Sequence, residues 1–205
     1  ALSTSRFLQK QGSDVDWSEN LEEQVDDRGA IIDYLTHDEI MNGLVTPPLF
    51  YGLMENAKRL AAGIDADRWA EQMGALFAPF AAVASENPLA AQHDKAFTAA
   101  DLTTVVPGNR YVASPYPQRL VARDQVNQSA ALVVISTGLA DELGISSSAR
   151  VYLHGQAVAG EPPVTLRAEL GQAPSAGLAL NRALDRAACV ADDMAYFDFY
   201  SCFPI

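Results

Sequence analysis

The spacing of apolar residues changes character once along this chain. From about 36 to 102 they recur at intervals of three and four, as in helices that lay one face on a core. Thr36-His37-Asp38-Glu39 opens the first helix as a capping box, in which the threonine hydroxyl and the glutamate carboxylate satisfy bare first-turn amides. Thr46-Pro47 opens the second, because proline fits the first helical turn, and Gly63 closes it in a left-handed conformation. Its expected buried face is Leu49, Leu53, Met54, Ala57 and Leu60. A third helix begins near Asp65 and carries Trp69, Met73, Leu76, Phe77 and Phe80 on one side, with a kink expected at Pro79. Asn87-Pro88 ends it, and Thr98 with Asp101 caps a further short helix.

Beyond Pro107-Gly108-Asn109 the pattern shortens. Pro115 and Pro117 hold an extended approach, and the β-branched run Ala130 to Ile135 predicts a strand. Ser136 caps a helix closed by Leu143-Gly144. Arg150 to Val158 predicts a second strand, Ser175 to about Ala188 a helix, and Met194 to Tyr200 a last strand, with a proline-bearing loop from Glu161 to Pro174. Strand, helix, strand, helix, strand is an α/β order, which favours parallel pairing with right-handed crossovers. The expected fold is therefore α/β, a helical region followed by strands and helices of an incomplete mixed sheet. A final apolar strand that runs into Tyr200-Ser201-Cys202-Phe203-Pro204-Ile205 needs neighbours on both sides, so the chain is expected to be part of a longer enzyme and to expose apolar edges by itself.

Composition narrows the function classes. With 205 residues, 49% hydrophobic and 20% charged, the chain has the make-up of a globular protein of one or two domains. A net charge of −12 argues against nonspecific binding to nucleic acid or to an anionic membrane. Much of the acidity lies early, from Asp14 to Glu39, and reads as a solvated surface. Asp14/Asp16 and Asp26/Asp27 lack the glycine turn and terminal glutamate of a calcium loop, and no histidine cluster supports zinc, so no metal is expected. Cys189 and Cys202 form no CxxC pair, and no apolar run approaches the ~20 residues of a membrane span. A cytoplasmic setting is expected.

Several motifs then occur in an order that resembles thiolases. Pro115-Tyr116-Pro117-Gln118-Arg119-Leu120 and Arg123-Asp124-Gln125-Val126-Asn127-Gln128-Ser129-Ala130-Ala131-Leu132-Val133-Val134-Ile135-Ser136 resemble the Asn-Asp-Gly-Ala-Ala-Ala-Leu-Val strand of that family. Ala140, Glu142-Leu143-Gly144 and Ala149-Arg150-Val151 follow in family order. Phe197-Asp198-Phe199-Tyr200-Ser201-Cys202-Phe203 stands where thiolases carry Asn-Glu-Ala-Phe, or His-Asp-Cys-Phe in the sterol-carrier-protein-linked branch. Thr46-Pro47-Pro48-Leu49-Phe50-Tyr51-Gly52-Leu53 and Ser85-Glu86-Asn87-Pro88 are similar to the helical loop region of that branch and of predicted acetyl-CoA acetyltransferases. On this resemblance 1–106 is mainly the loop region, 107–144 the last strand and helix of the N-terminal half, and 145–205 the first elements of the C-terminal half.

The resemblance implies cleavage of a 3-ketoacyl-CoA, or condensation of two acyl-CoAs, with coenzyme A thioester as substrate, no covalently bound cofactor, and a homo- or hetero-oligomer. It also implies a nucleophilic cysteine before this chain and a Gly-His-Pro histidine and second cysteine after it. Where the family holds an oxyanion-hole water with Asn or His, this sequence has Tyr200, which makes Tyr200 the candidate catalytic residue. Asp124 and Gln125 replace the glycine-rich approach to pantetheine and are the candidate cofactor-binding residues. Cys202, by family position, is a packing residue, and Cys189 is expected to be a buried thiol. His37, His93 and His154 are scattered, with His154 alone near the presumed sheet. A non-catalytic thiolase-like subunit that binds acyl-CoA or a protein is the alternative, and a complete structural domain of this length the third reading.

Overall fold

The protein is described by a computed structural model over residues 2–13, 35–122, 126, 129–200 and 202–205, side chains of 2 and 3 excepted. Its elements in chain order are α1 (Leu2–Lys10), α2 (His37–Met41), α3 (Pro47–Ala61), α4 (Ala66–Glu86), α5 (Ala99–Thr103), β1 (Tyr111–Ala113), β2 (Tyr116–Pro117), α6 (Thr137–Glu142) and α7 (Pro174–Ala187). They fall into two compact units that interleave along the sequence. One draws on 1–16, 125–159 and 175–197; the other on 17–124, 160–174 and 198–205.

In the second unit the helix starts are set by short-range chemistry. The Thr36 hydroxyl accepts from the Glu39 amide, and the Glu39 carboxylate accepts from the Thr36 amide at 2.7 Å. Asp65 caps α4, Thr98 and Asp101 box α5, and Pro47 occupies the start of α3. Gly63 closes α3 at φ +66°. Pro79 lies inside α4, which continues through it from Ala66 to Glu86.

The core of this unit is Met73, Leu102, Tyr116, Leu120 and Phe203, with Tyr51, Trp69 and Phe77 packed against it. Two expected helix faces are corrected. On α4, Leu76 and Phe80 are exposed although Trp69, Met73 and Phe77 pack as expected. On α3 the buried positions are Gly52 and Glu55, while Leu49, Leu53 and Leu60 face outward. The rotation of α3 has a physical cause. Glu55 is met inside by two aromatic donors, and Gly52 lets the backbone approach Ser114, whose carbonyl oxygen lies 2.5 Å from where a Cβ would stand. That approach seats α3 on the antiparallel β1–β2 hairpin, which turns at a cis Ser114-Pro115 peptide. Asn109, fully buried, donates to the Leu102 and Thr104 carbonyls and accepts from the Arg119 amide at 2.9 Å. It thereby fastens α5 to the 3-10 turn at Gln118–Leu120.

In the other unit Ser136 caps α6 by accepting from the Leu139 amide, and Gly144 takes φ +65° just after it. Arg150 pairs with Asp141 at 2.6 Å and donates to the Ile145 carbonyl. The three strands expected at Ala130 to Ile135, Arg150 to Val158 and Met194 to Tyr200 are not formed. Among the described residues these stretches have no ladder hydrogen bonds, and the two-stranded β1–β2 sheet stands in their place. A β-branched run supplies propensity, but a strand exists only when a neighbour accepts its peptide bonds. The stretches stand bare: Leu132, Val133 and Val134 are 82%, 85% and 86% exposed and Val151 is 99% exposed, as expected of apolar segments without neighbours. The helix α1 was not anticipated from the sequence.

Candidate functional site

The terminal segment is positioned by Phe203. Its ring stacks on Tyr51 at 4.2 Å between centroids and meets Tyr116 at 5.2 Å, so that an apolar end which looked exposed in the sequence is instead inserted into the core. The Cys202 carbonyl accepts from the Ala122 amide at 3.1 Å. These contacts bring Tyr200 and Cys202 beside the stretch that follows the 3-10 turn, two residues before Asp124. Asp124 and Gln125 themselves lie outside the described residues, as does Ser201.

Tyr200 is 85% exposed, and its Oη lies 3.0 Å from the Cys202 sulfur. The hydrogen bond to Cys202, and after it the Coulombic influence of that side chain, raise the Tyr200 phenol above its ordinary value, so the hydroxyl stays protonated at neutral pH. Cys202 is half-buried and packs against the core. His37 lies in α2, His93 sits 3.3 Å from Asp94, and His154 is exposed. Cys189 is half-buried rather than buried, and its thiol donates to the Ala187 carbonyl at 3.3 Å. No group of three metal-ligating side chains occurs among the described residues.

Beneath this segment lies a feature the apolar spacing did not reveal. Glu55, fully buried on α3, accepts from Trp69 Nε1 at 2.7 Å and from Tyr116 Oη at 2.7 Å. Burial, then the Glu55 carboxylate, push the Tyr116 phenol far above its ordinary range. The pair props the rings against which Phe203 packs. The available signal was a lone Glu inside an otherwise apolar helix turn.

A groove of about 240 Å³ runs beside α3, lined by Pro47, Phe50, Tyr51 and Met54 on one wall and by Pro162, Val164 and Arg167 on the other. Among the described residues no helix is long and apolar enough to cross a membrane.

Comparison with solved structures gives this arrangement its class. The chain matches the SCP2-thiolase like protein type 1 from Mycobacterium smegmatis at 41% identity and a TM-score of 0.76, over 83% of this chain and 37% of that one. The chain belongs to the thiolase superfamily, and its fold is α/β and partially thiolase-like. Within the superfamily it falls in the sterol-carrier-protein-linked branch. It spans about 37% of the length of the mycobacterial protein, which is described as monomeric. No protein-family model and no curated protein matches the chain.

Proposed function

We propose that the protein acts on acyl-CoA thioesters, as part of a thiolase-like acyltransferase that cleaves or forms a carbon–carbon bond next to a thioester carbonyl. The observation that carries this reading is the 41% identity to an SCP2-thiolase-like protein over 83% of the chain. Thioester chemistry of this class needs a thiolate, a base to generate it and donors for the developing oxyanion. Tyr200 contributes to the last of these as an exposed, protonated phenol at the end of an anchored segment. By family position, Asp124 and Gln125 are the residues this reading assigns to the coenzyme A arm. Cys202 packs on the core, so this reading does not assign it the thiolate role.

The reading places the protein in the cytoplasm, as a homo- or hetero-oligomer. The decisive experiment assays the full-length gene product for coenzyme-A-dependent consumption of 3-ketoacyl-CoA, with sedimentation for the assembly state. Turnover that falls with Tyr200→Phe is the expected result. A full-length product that binds acyl-CoA by calorimetry but gives no turnover overturns it.

The second reading is a thiolase-like subunit that binds acyl-CoA or a protein without catalysis. Its support is the Tyr200 hydroxyl itself, which is engaged by Cys202 at 3.0 Å where the family places Asn or His. Acyl-CoA binding without turnover is its expected result.

A further inference from the structure

We propose that the groove between α3 and the turn at 161–167 is a binding site for a medium-chain monocarboxylate, with its alkyl chain along α3 and its carboxylate on Arg167. The argument begins with the walls. Phe50, Tyr51, Met54 and Val164 make the groove apolar, and burial of an alkyl chain there is favourable in proportion to the area removed from water. Its volume of about 240 Å³ decides the size of guest. That suits an alkyl chain of moderate length and is too small for a sterol ring system or a whole coenzyme A.

Arg167 decides the chemistry of the head. Its guanidinium is half-buried, with Nε donating to the Pro162 carbonyl at 2.9 Å and Nη1 directed at the Met54 sulfur at 3.3 Å. A thioether is a weak acceptor, and among the described residues no carboxylate pairs with Arg167. An oxyanion entering the groove offers that N–H a far better partner, in the planar geometry that arginine matches to carboxylates. Glu161 also lines the groove, and its negative charge disfavours a doubly charged guest such as a phosphate dianion more than a monoanion.

The walls are held before any guest arrives. The Glu39 carboxylate accepts from both the amide and the hydroxyl of Thr165, at 3.0 and 3.1 Å, and ties the 164–166 turn to α2. Tyr51, on the facing wall, is fixed by its stack on Phe203. A site with both walls fixed loses little ordering free energy on binding. The proposal stands apart from the acyl-CoA reading, since neither Tyr200 nor the 124–125 approach takes part.

The test titrates the 15N-labelled chain with octanoate, octanol and octylamine, following the amides of 50–54 and 162–167. Octanoate is expected to shift them saturably and octanol to bind about tenfold more weakly, the loss of one hydrogen bond between charged partners. Arg167→Met, which keeps the packing on Met54, is expected to bring octanoate down to the level of octanol. Val45→Trp, at a half-exposed lining position, is expected to fill the groove and abolish both responses while the far-UV circular dichroism is unchanged. Equal binding of octanoate and octanol, undiminished octanoate binding by Arg167→Met, or shifts that map elsewhere would each overturn the proposal. Loss of octanoate binding with retained acyl-CoA turnover defeats this site and leaves the thioester reading intact.

Discussion

Tyr116 donates its phenolic hydrogen to Glu55 across 2.7 Å, and both residues are fully buried. The second Glu55 oxygen takes the Trp69 indole N–H, so a buried carboxylate is satisfied by two neutral aromatic donors that reach it from separate elements. A buried acceptor left without its donor loses about 1–3 kcal/mol. Tyr116→Phe and Glu55→Gln are each expected to lower unfolding free energy by that amount in urea, and the double mutant by less than their sum. The Tyr116 phenol is raised on folding, so the folded state favours the protonated form. Its contribution is complete below about pH 10, the value in the unfolded chain, and declines as pH rises beyond it. Tyr116→Phe should flatten that alkaline decline; an unchanged slope would show that the phenol is not its source.

Two glycines mark where backbone meets backbone. A Cβ on Gly52 would stand 2.5 Å from the Ser114 carbonyl oxygen, and one on Gly74 would stand 2.7 Å from the Ala99 carbonyl oxygen. Neither neighbour is a flexible side-chain end, so α3 must withdraw from the hairpin or α4 from α5. Gly52→Ala and Gly74→Ala are expected to destabilise by about 1–3 kcal/mol. Gly177, within α7, meets nothing within 4 Å, and Gly177→Ala there should stabilise by about 0.5–1 kcal/mol through helix propensity. Thermal melts of the three variants check the contrast of sign.

The helical half was legible because its signals are local. Thr36 with Glu39, Pro47, Asp65 and Thr98 with Asp101 each settle a helix start within one turn, and the structure places α2 to α5 accordingly. The strands were not legible in the same sense. Ala130 to Ile135 states a preference for extension, while pairing depends on distant partners that no local pattern specifies. The face of α3 failed for a related reason: three exposed leucines carry the helical periodicity, whereas Glu55 is drawn inside by donors 14 and 61 residues away in sequence. At the candidate site, the family order picked out Tyr200, but nothing in sequence showed that Phe203 would stack on Tyr51 and anchor it.

Glu39 is a cap and a cross-link at once. Backbone hydrogen bonds from Thr165 and then Thr36 hold its carboxyl below the usual carboxylate range, so the folded state favours the anion. The stability it contributes is present above the ordinary glutamate value and is lost as pH falls through the depressed one. Acid titration of unfolding should therefore show a component that Glu39→Gln removes. The same variant should speed amide exchange at Thr165, whose N–H donates to this carboxylate. Unaltered exchange at Thr165 would count against the cross-link.

Phe203 and Tyr200 make separable contributions to the terminal segment. Phe203 is 3% exposed and lies between Tyr51 and Tyr116, so truncation leaves a cavity in the core; Phe203→Ala should destabilise by about 3–5 kcal/mol. With the anchor gone, the Cys202 sulfur loses its packing and should be alkylated faster by a neutral iodoacetamide reagent. Tyr200 is largely solvated, and Tyr200→Phe should leave stability within about 0.5 kcal/mol. Its hydroxyl faces the Cys202 sulfur at 3.0 Å, so Tyr200→Phe should change the alkylation rate while leaving stability alone. A rate change without a stability change for Tyr200→Phe, against a change in both for Phe203→Ala, distinguishes a residue that acts on the sulfur from one that holds the segment. If Tyr200→Phe alters stability and leaves the rate alone, the phenol is a packing group and loses its claim as the oxyanion-side donor.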